Sequence, residues 1–159
     1  MTKVSNMIVI GSDHGGRSLK EELKSYLVSL GYDVRDFSPD NSQAVDYPDI
    51  GLPAAREVSR GKVDRAILIC GTGLGMTILA NKLPGIRACL CHDSYSARMS
   101  RAHNDSNILV MGGRIIGAEP AKEIVRTFLD TTFEAGRHQR RLSKIRDLEN
   151  TVFQGEKDG

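Results

Sequence analysis

The most chemically suggestive stretch of the sequence is a cysteine that ends an apolar run and leads straight into three closely spaced glycines. Ala66-Ile-Leu-Ile-Cys70 is followed by Gly71-Thr72-Gly73-Leu74-Gly75. Glycine lets a backbone approach a ligand closely, and the free N–H groups of a strand-to-helix turn form a cradle for an anion. No Gly-Lys-Ser/Thr follows, so this is not a P-loop, and the G-x-G-x-G spacing is not the dinucleotide pattern G-x-G-x-x-G. A thiol at a helix N-terminus is favoured as thiolate, which suits a base or a nucleophile. A tight turn beside a core cysteine would use the same residues without any chemistry, and position alone leaves both readings open.

Other residues add to this picture. Asp13-His14 follows a second apolar run and offers a carboxylate and an imidazole, able to hold sugar hydroxyls or move protons. His103-Asn104 stands at a helix end, where a histidine also interacts favourably with the helix C-terminus. Arg137 and Arg141 are spaced i, i+4, so both guanidinium groups can converge on one phosphate, and Arg114 after Gly112-Gly113 can supply a third. A solvated basic face explains the same arginine-rich stretch. Cys89 and Cys91 lie two apart on one strand face and read as core, and Cys-x-Cys-His-Asp over 89–93 lacks the spacing of a zinc knuckle. No metal site is expected. Taken together, these residues describe a site for a small, phosphorylated, hydroxyl-rich molecule, with an acid and a base at hand.

The elements that must position them alternate in type. Short β-type runs cover Met7–Ile10, Tyr32–Phe37, Ala66–Cys70, Arg87–Cys91 and Ile108–Met111. Between them lie helical stretches: the Leu19, Leu23, Tyr26, Leu27, Leu30 face stopped by Gly31, then Asp49–Arg60, Gly75–Lys82, Ser94–His103 and a helix with Pro120 near its start reaching Leu129. A charged helix over Arg137–Asn150 closes the domain. Ser38–Pro48 reads as a loop and Thr151–Gly159 as a frayed tail. This order predicts one domain over 1–150: a three-layer α/β/α sandwich on a five-stranded parallel, Rossmann-like sheet with a C-terminal helix. Sites in such sheets lie beyond the carboxyl ends of the strands at a topological switch point. If the strand order begins 2-1-3, the Asp13 and Cys70 loops meet there.

Composition narrows the function classes. A chain of 159 residues, 40% hydrophobic and 26% charged, supports one core and is not a disordered chain. The net charge of +2 is too small to suggest nucleic-acid binding, and 5% aromatics without Trp rule out a base-stacking platform. No apolar run approaches the roughly 20 residues of a membrane helix, and Met1–Asn6 lacks a signal-peptide core, so a cytoplasmic protein without membrane contact is expected. The odd count of three cysteines speaks against a disulfide framework.

The sequence resembles the ribose-5-phosphate isomerase B family, which also contains allose- and galactose-6-phosphate isomerases. The resemblance rests on Gly11-Ser-Asp-His-Gly-Gly16, Asp46-Tyr-Pro-Asp49, Ile69-Cys-Gly-Thr-Gly-Leu-Gly-Met76, Ala80-Asn-Lys82, Gly85-Ile-Arg87, Ser100-Arg-Ala-His-Asn104, Gly112-Gly-Arg114 and Gly136-Arg-His-Gln-Arg-Arg141. It implies a metal-free, cofactor-free aldose–ketose isomerase that interconverts ribose 5-phosphate and ribulose 5-phosphate in the pentose phosphate pathway. By the family's pattern Cys70 is the base and His103 opens the furanose ring. The loop Gly71, Thr72, Gly73, Leu74 and Gly75 holds the enediolate oxygens. Asp13, His14 and Asn104 hold the sugar, Tyr47 joins the substrate-binding residues, and Arg114, Arg137 and Arg141 bind the phosphate.

The resemblance further implies a homodimer, or a tetramer, with sites shared across the interface, so that His103, Asn104 and Arg114 serve the neighbour's Cys70. One branch of the family replaces the cysteine by a glutamate just after the glycine loop. Met76 occupies that position here, which places the chain in the cysteine branch. Ser38-Pro39 departs from the Gly-Thr common in the family. All the motifs lie on one chain, unlike the two-subunit galactose-6-phosphate enzymes. The alternatives are an isomerase of allose 6-phosphate, galactose 6-phosphate or a tetrose phosphate, and a non-catalytic sugar-phosphate-binding regulatory domain. Cys70, Thr72 and His103 together speak against the last, since binding alone needs neither base nor ring-opener.

Overall fold

A computed structural model describes residues 5–40 and 43–155. Strands β1 (Met7–Ser12), β2 (Asp33–Asp36), β3 (Arg65–Cys70), β4 (Ala88–Leu90) and β5 (Ile108–Gly112) form a single sheet in the order β2-β1-β3-β5-β4. Every pairing is parallel. Helices α1 (Arg17–Ser29), α2 (Tyr47–Ser59), α3 (Leu74–Ala80), α4 (Ser94–Ala102) and α5 (Ala118–Asp130) follow strands β1 to β5 in turn, and α6 (Arg137–Gly155) ends the chain. This is the predicted α/β architecture, with the switch point between β1 and β3.

Side chains alternate across each strand, so one sheet supplies two cores. Ile8, Ile10, Ile67, Ile69, Leu109 and Met111 pack against Leu19, Leu23 and Leu27 of α1 and Ile124 and Phe128 of α5. Val9, Leu68, Val110 and Cys70 pack on the opposite face against Ile50, Ala54 and Val58 of α2 and Met76 and Ala80 of α3. Coverage of both faces is what an all-parallel sheet requires, and it explains the uninterrupted apolar run of β3. Among the described residues no helix is long and apolar enough to cross a membrane.

Element boundaries differ from the sequence expectation at several places, helices α2, α4 and α6 among them. Helix α2 begins at Tyr47 and takes Pro48 into its first turn, where the missing N–H would have no intrahelical partner anyway. Helix α4 ends at Ala102 with His103 as its C-cap. Helix α6 continues through the expected tail to Gly155: no glycine or proline interrupts Thr151–Gln154, and the Thr151 hydroxyl donates to the Asp147 carbonyl at 2.9 Å. The last residues of that tail, 156–159, lie outside the described residues, as do Asn41 and Ser42 of the Ser38–Pro48 loop and residues 1–4.

A buried ionic cluster ties the edge strand to the site. Lys20 is only 3% exposed, and its Nζ lies 2.7 Å from Asp36 Oδ2 and 2.5 Å from Glu21 Oε1. Asp36 Oδ1 accepts the Ser38 N–H at 2.9 Å, and Ser38 Oγ accepts the Ser12 N–H at 2.8 Å. The chain of bonds runs from α1 through β2 to the last residue of β1, directly before Asp13. Ser38, the departure noted above, thus satisfies a β1 N–H beyond the end of β2.

Burial works against the Asp36 carboxylate, but the hydrogen bonds from Lys20 and Ser38 outweigh it and hold its pKa below the ordinary value. A lowered carboxyl pKa stabilises the fold above the unfolded value, near 4, and that contribution disappears as pH falls through the folded value. Asp36→Asn should therefore cost about 2 kcal/mol at neutral pH, since it leaves Lys20 short of a partner. Thermal unfolding followed by circular dichroism should show the gap to wild type closing as pH drops below about 4.

Candidate active site

Strand β3 delivers Cys70 to the carboxyl edge of the sheet, 4% exposed, in register with Gly112 of β5. Its Sγ accepts the Gly73 N–H at 3.2 Å. Gly73 has φ +79°, a left-handed conformation that favours glycine, and it caps α3. Thr72 Oγ1 accepts the Leu74 N–H at 3.3 Å. The turn therefore points the Gly73 N–H at the sulfur and the Leu74 N–H at the Thr72 hydroxyl.

Two neighbouring loops close on it. The Gly113 N–H donates to the Cys70 carbonyl at 2.8 Å and the Arg114 N–H to the Gly71 carbonyl at 3.0 Å. A Cβ on Gly15 would lie 3.1 Å from Gly71 Cα, and one on Gly113 would lie 2.7 Å from the Gly15 carbonyl oxygen. The turns after β1, β3 and β5 thus meet backbone to backbone. The Tyr47 ring covers Gly75, where a Cβ would come within 2.6 Å of the ring. Asp13 is buried and its Oδ1 accepts the Gly16 N–H at 3.1 Å. The exposed His14 sets its Nδ1 3.3 Å from the Val45 carbonyl oxygen. Arg114 stands over the glycine turn of its own chain, since a Cβ on Gly71 would meet its Nη1 at 3.1 Å. The resemblance implied that Arg114 serves a neighbour's Cys70; within one chain its loop is held to Gly71 by the backbone bond at Arg114.

His103 and Asn104 belong to a second cluster at the end of α4. The His103 ring stacks on the His138 ring with centroids 4.0 Å apart and planes 12° from parallel. Glu134 Oε2 lies 3.8 Å from His103 Nε2 and 3.6 Å from His138 Nε2. Arg137 and Arg141 are exposed on the first turns of α6, on either side of His138 in sequence. Among the described residues no hydrogen bond or ion pair joins this cluster to the Cys70 turn. Glu134 is the member of this cluster that the sequence reading passed over, and His138 entered it only within the Gly136–Arg141 motif; their i, i+4 spacing beside Arg137 was the available signal.

His103, Glu134 and His138 bring three metal-ligand atoms within 4.8 Å of one another, a grouping the sequence reading did not foresee. Imidazole lone pairs lie in the ring plane, so two stacked rings cannot both aim Nε2 at one ion. The geometry is that of a stack and not of a ligand set. The Cys-x-Cys-His-Asp segment is structural: burial, then the neighbouring Cys89, pushes the Cys91 thiol up to about 12. His92 Nε2 accepts the Gly112 N–H at 2.9 Å, and burial lowers the pKa of that imidazole, keeping it neutral.

Residues 8–145 match the sequence profile of the ribose/galactose isomerase family. The chain belongs to that family. This protein is a sugar-phosphate aldose–ketose isomerase. The ribose-5-phosphate isomerase B structure of Clostridium thermocellum is 52% identical, covers 92% of this chain and 99% of its own, and superposes with a TM-score of 0.89. Ribose-5-phosphate isomerase B of Escherichia coli is 46% identical over 89% of this chain and 95% of its own length. D-erythrulose-4-phosphate isomerase of Pectobacterium atrosepticum is 43% identical over 87% of this chain and 91% of its own.

The loops that meet at the Cys70 turn leave no room for a side chain at Gly113. Gly113→Ala should push the β5 turn away from Gly15, destabilise the fold by about 1–3 kcal/mol and lower kcat/KM at least tenfold. Calorimetry and steady-state kinetics on the purified variant check both; wild-type values would show that the loops are not in contact.

Proposed function

We propose that the protein interconverts D-ribose 5-phosphate and D-ribulose 5-phosphate through an enediolate, with Cys70 as the base and neither metal nor cofactor. The observation that carries this reading is the buried Cys70 Sγ inside a turn whose Gly73 N–H points at it, with the Thr72 hydroxyl alongside. In the aldose-to-ketose direction the thiolate takes the proton from C2 and returns it to C1, while the hydroxyl proton passes from O2 to O1. The N–H groups of Gly71 to Gly75 and the Thr72 hydroxyl stabilise the charge on the enediolate oxygens. His103 opens the furanose by accepting the O1 proton and passing one to the ring oxygen. Asp13, His14, Tyr47 and Asn104 hold the sugar, and Arg114, Arg137 and Arg141 hold the phosphate.

One further observation supports the cysteine as base. Met76, at the position where the other branch carries its glutamate, is fully buried in the core, so no alternative base stands there. The arginine pair and the imidazole stack occupy a cluster apart from Cys70. This favours a homodimer in which His103 and Asn104 complete the partner's site. A tetrose phosphate is the second reading, favoured by the Pectobacterium relative, whose substrate has four carbons. Steady-state rates across four-, five- and six-carbon aldose phosphates decide between them: the highest kcat/KM is expected on ribose 5-phosphate.

Cys70→Ala should abolish isomerisation while ribose 5-phosphate still binds, measured by kinetics and calorimetric titration; near wild-type kcat would remove Cys70 as base. Incubation with EDTA should leave the rate unchanged, and a loss reversed by a divalent ion would refute metal-free chemistry. If the site is shared, Cys70→Ala and His103→Ala homodimers should each fail on ribose 5-phosphate and regain activity when mixed. Random exchange makes about half the dimers mixed, each with one intact site, so about a quarter of the wild-type rate should return. Subunit exchange followed by mass-tagging, with no recovery of rate, would place Cys70 and His103 in one subunit's site.

A further inference from the structure

We propose that Glu134 and His138 are positioning residues for His103: they fix its ring plane and turn its Nε2 edge to a carboxylate, leaving Nδ1 to face the sugar. The inference rests on the reading of His103 as ring-opener.

Several independent features of the structure converge on this arrangement. The His138 ring lies flat against His103 at 4.0 Å, so the His103 ring cannot rotate about χ2 without losing that contact. His138 is 5% exposed, and its Nε2 is buried with no hydrogen-bond partner. That nitrogen lies 3.6 Å from the same Glu134 oxygen that faces His103 Nε2 at 3.8 Å. A carboxylate at that edge favours an N–H over a lone pair on the His103 Nε2, which puts the lone pair on Nδ1. The aspartate of a serine-protease triad selects a tautomer in the same way. Burial, and then the neighbouring His103, Arg137 and Arg141, lower the pKa of His138 against the opposing effect of Glu134. A neutral ring is the one that can stack on a proton-carrying partner without repelling it.

The backbone holds the carboxylate in place. The Glu134 N–H donates to the carbonyl of Ala102, the residue immediately before His103, at 3.0 Å. The next residue, Ala135, adopts φ +56°, a left-handed conformation unfavourable for a side-chain-bearing residue, and Gly136 repeats it. These two left-handed residues lead into α6 so that Glu134 and His138 both reach the His103 imidazole. Strain of this kind persists where the surroundings over-determine it, and here it sits beside a residue with a proposed chemical role.

The test uses the full-length protein and two rates. Turnover of ribose 5-phosphate requires ring opening, whereas solvent-proton exchange at C1 of ribulose 5-phosphate does not, because that ketose has no furanose form. Glu134→Gln and His138→Ala should each lower ribose 5-phosphate turnover about tenfold or more, with KM little changed, and leave the exchange rate within about twofold of wild type. His138→Phe, which keeps a flat ring in the stack, should retain more turnover than His138→Ala. An equal fall in both rates would overturn the proposal by assigning these residues to folding or phosphate binding. Normal turnover in Glu134→Gln and His138→Ala beside an inactive His103→Ala would overturn it while leaving the ring-opening role of His103 intact. Normal turnover in His103→Ala would overturn both.

Discussion

Backbone-to-backbone contact between the turns after β1, β3 and β5 is the constraint on which the site depends. Gly15 rests on Gly71, Gly113 on Gly15, and the bonds from Gly113 and Arg114 to the β3 turn close the circle. With no Cβ in the way, the turns that carry Asp13, Thr72 and Arg114 come into contact beside the end of β3. The parallel sheet makes this possible, because every strand points its carboxyl end at the same edge and the crossover between β1 and β3 opens a crevice there. The buried Lys20–Asp36–Ser38 chain then fixes the outer strand to the end of β1, so the Asp13 turn is held from both sides.

The second cluster is built on a different principle. Where the Cys70 turn is made of backbone N–H groups, the end of α4 is made of side chains: two stacked imidazoles and one carboxylate. Backbone groups are rigid and carry fixed partial charge, which suits oxyanion stabilisation. Imidazoles change their protonation near neutral pH, which suits a step that opens and closes a sugar ring. In the proposed function, charge stabilisation and ring opening fall to two clusters of different material.

Much of this could be read along the chain. The glycines at 71, 73 and 75 announced a turn near Cys70, and the apolar run of β3 announced a strand covered on both faces. Asp13-His14 was singled out by its place after the first strand. That the Arg114 loop is bonded to Gly71 could not be read there, because nothing local records that contact. Glu134 escaped notice altogether: an exposed acidic residue before a basic helix looks like any other charged surface.

Periodicity, glycine placement and strand–helix alternation are local properties, determined by side-chain volume and backbone freedom over a few residues, and the sequence alone therefore determined the fold class and the Cys70 turn. Which distant groups share an environment is decided by how the elements pack. Lys20 meets Asp36 because α1 folds back on β2, and His103 meets His138 because the Glu134 N–H and two left-handed residues steer α6 back to the end of α4. Such pairings depend on crossovers and turn angles that no single stretch of residues encodes, and only the tertiary structure supplies them.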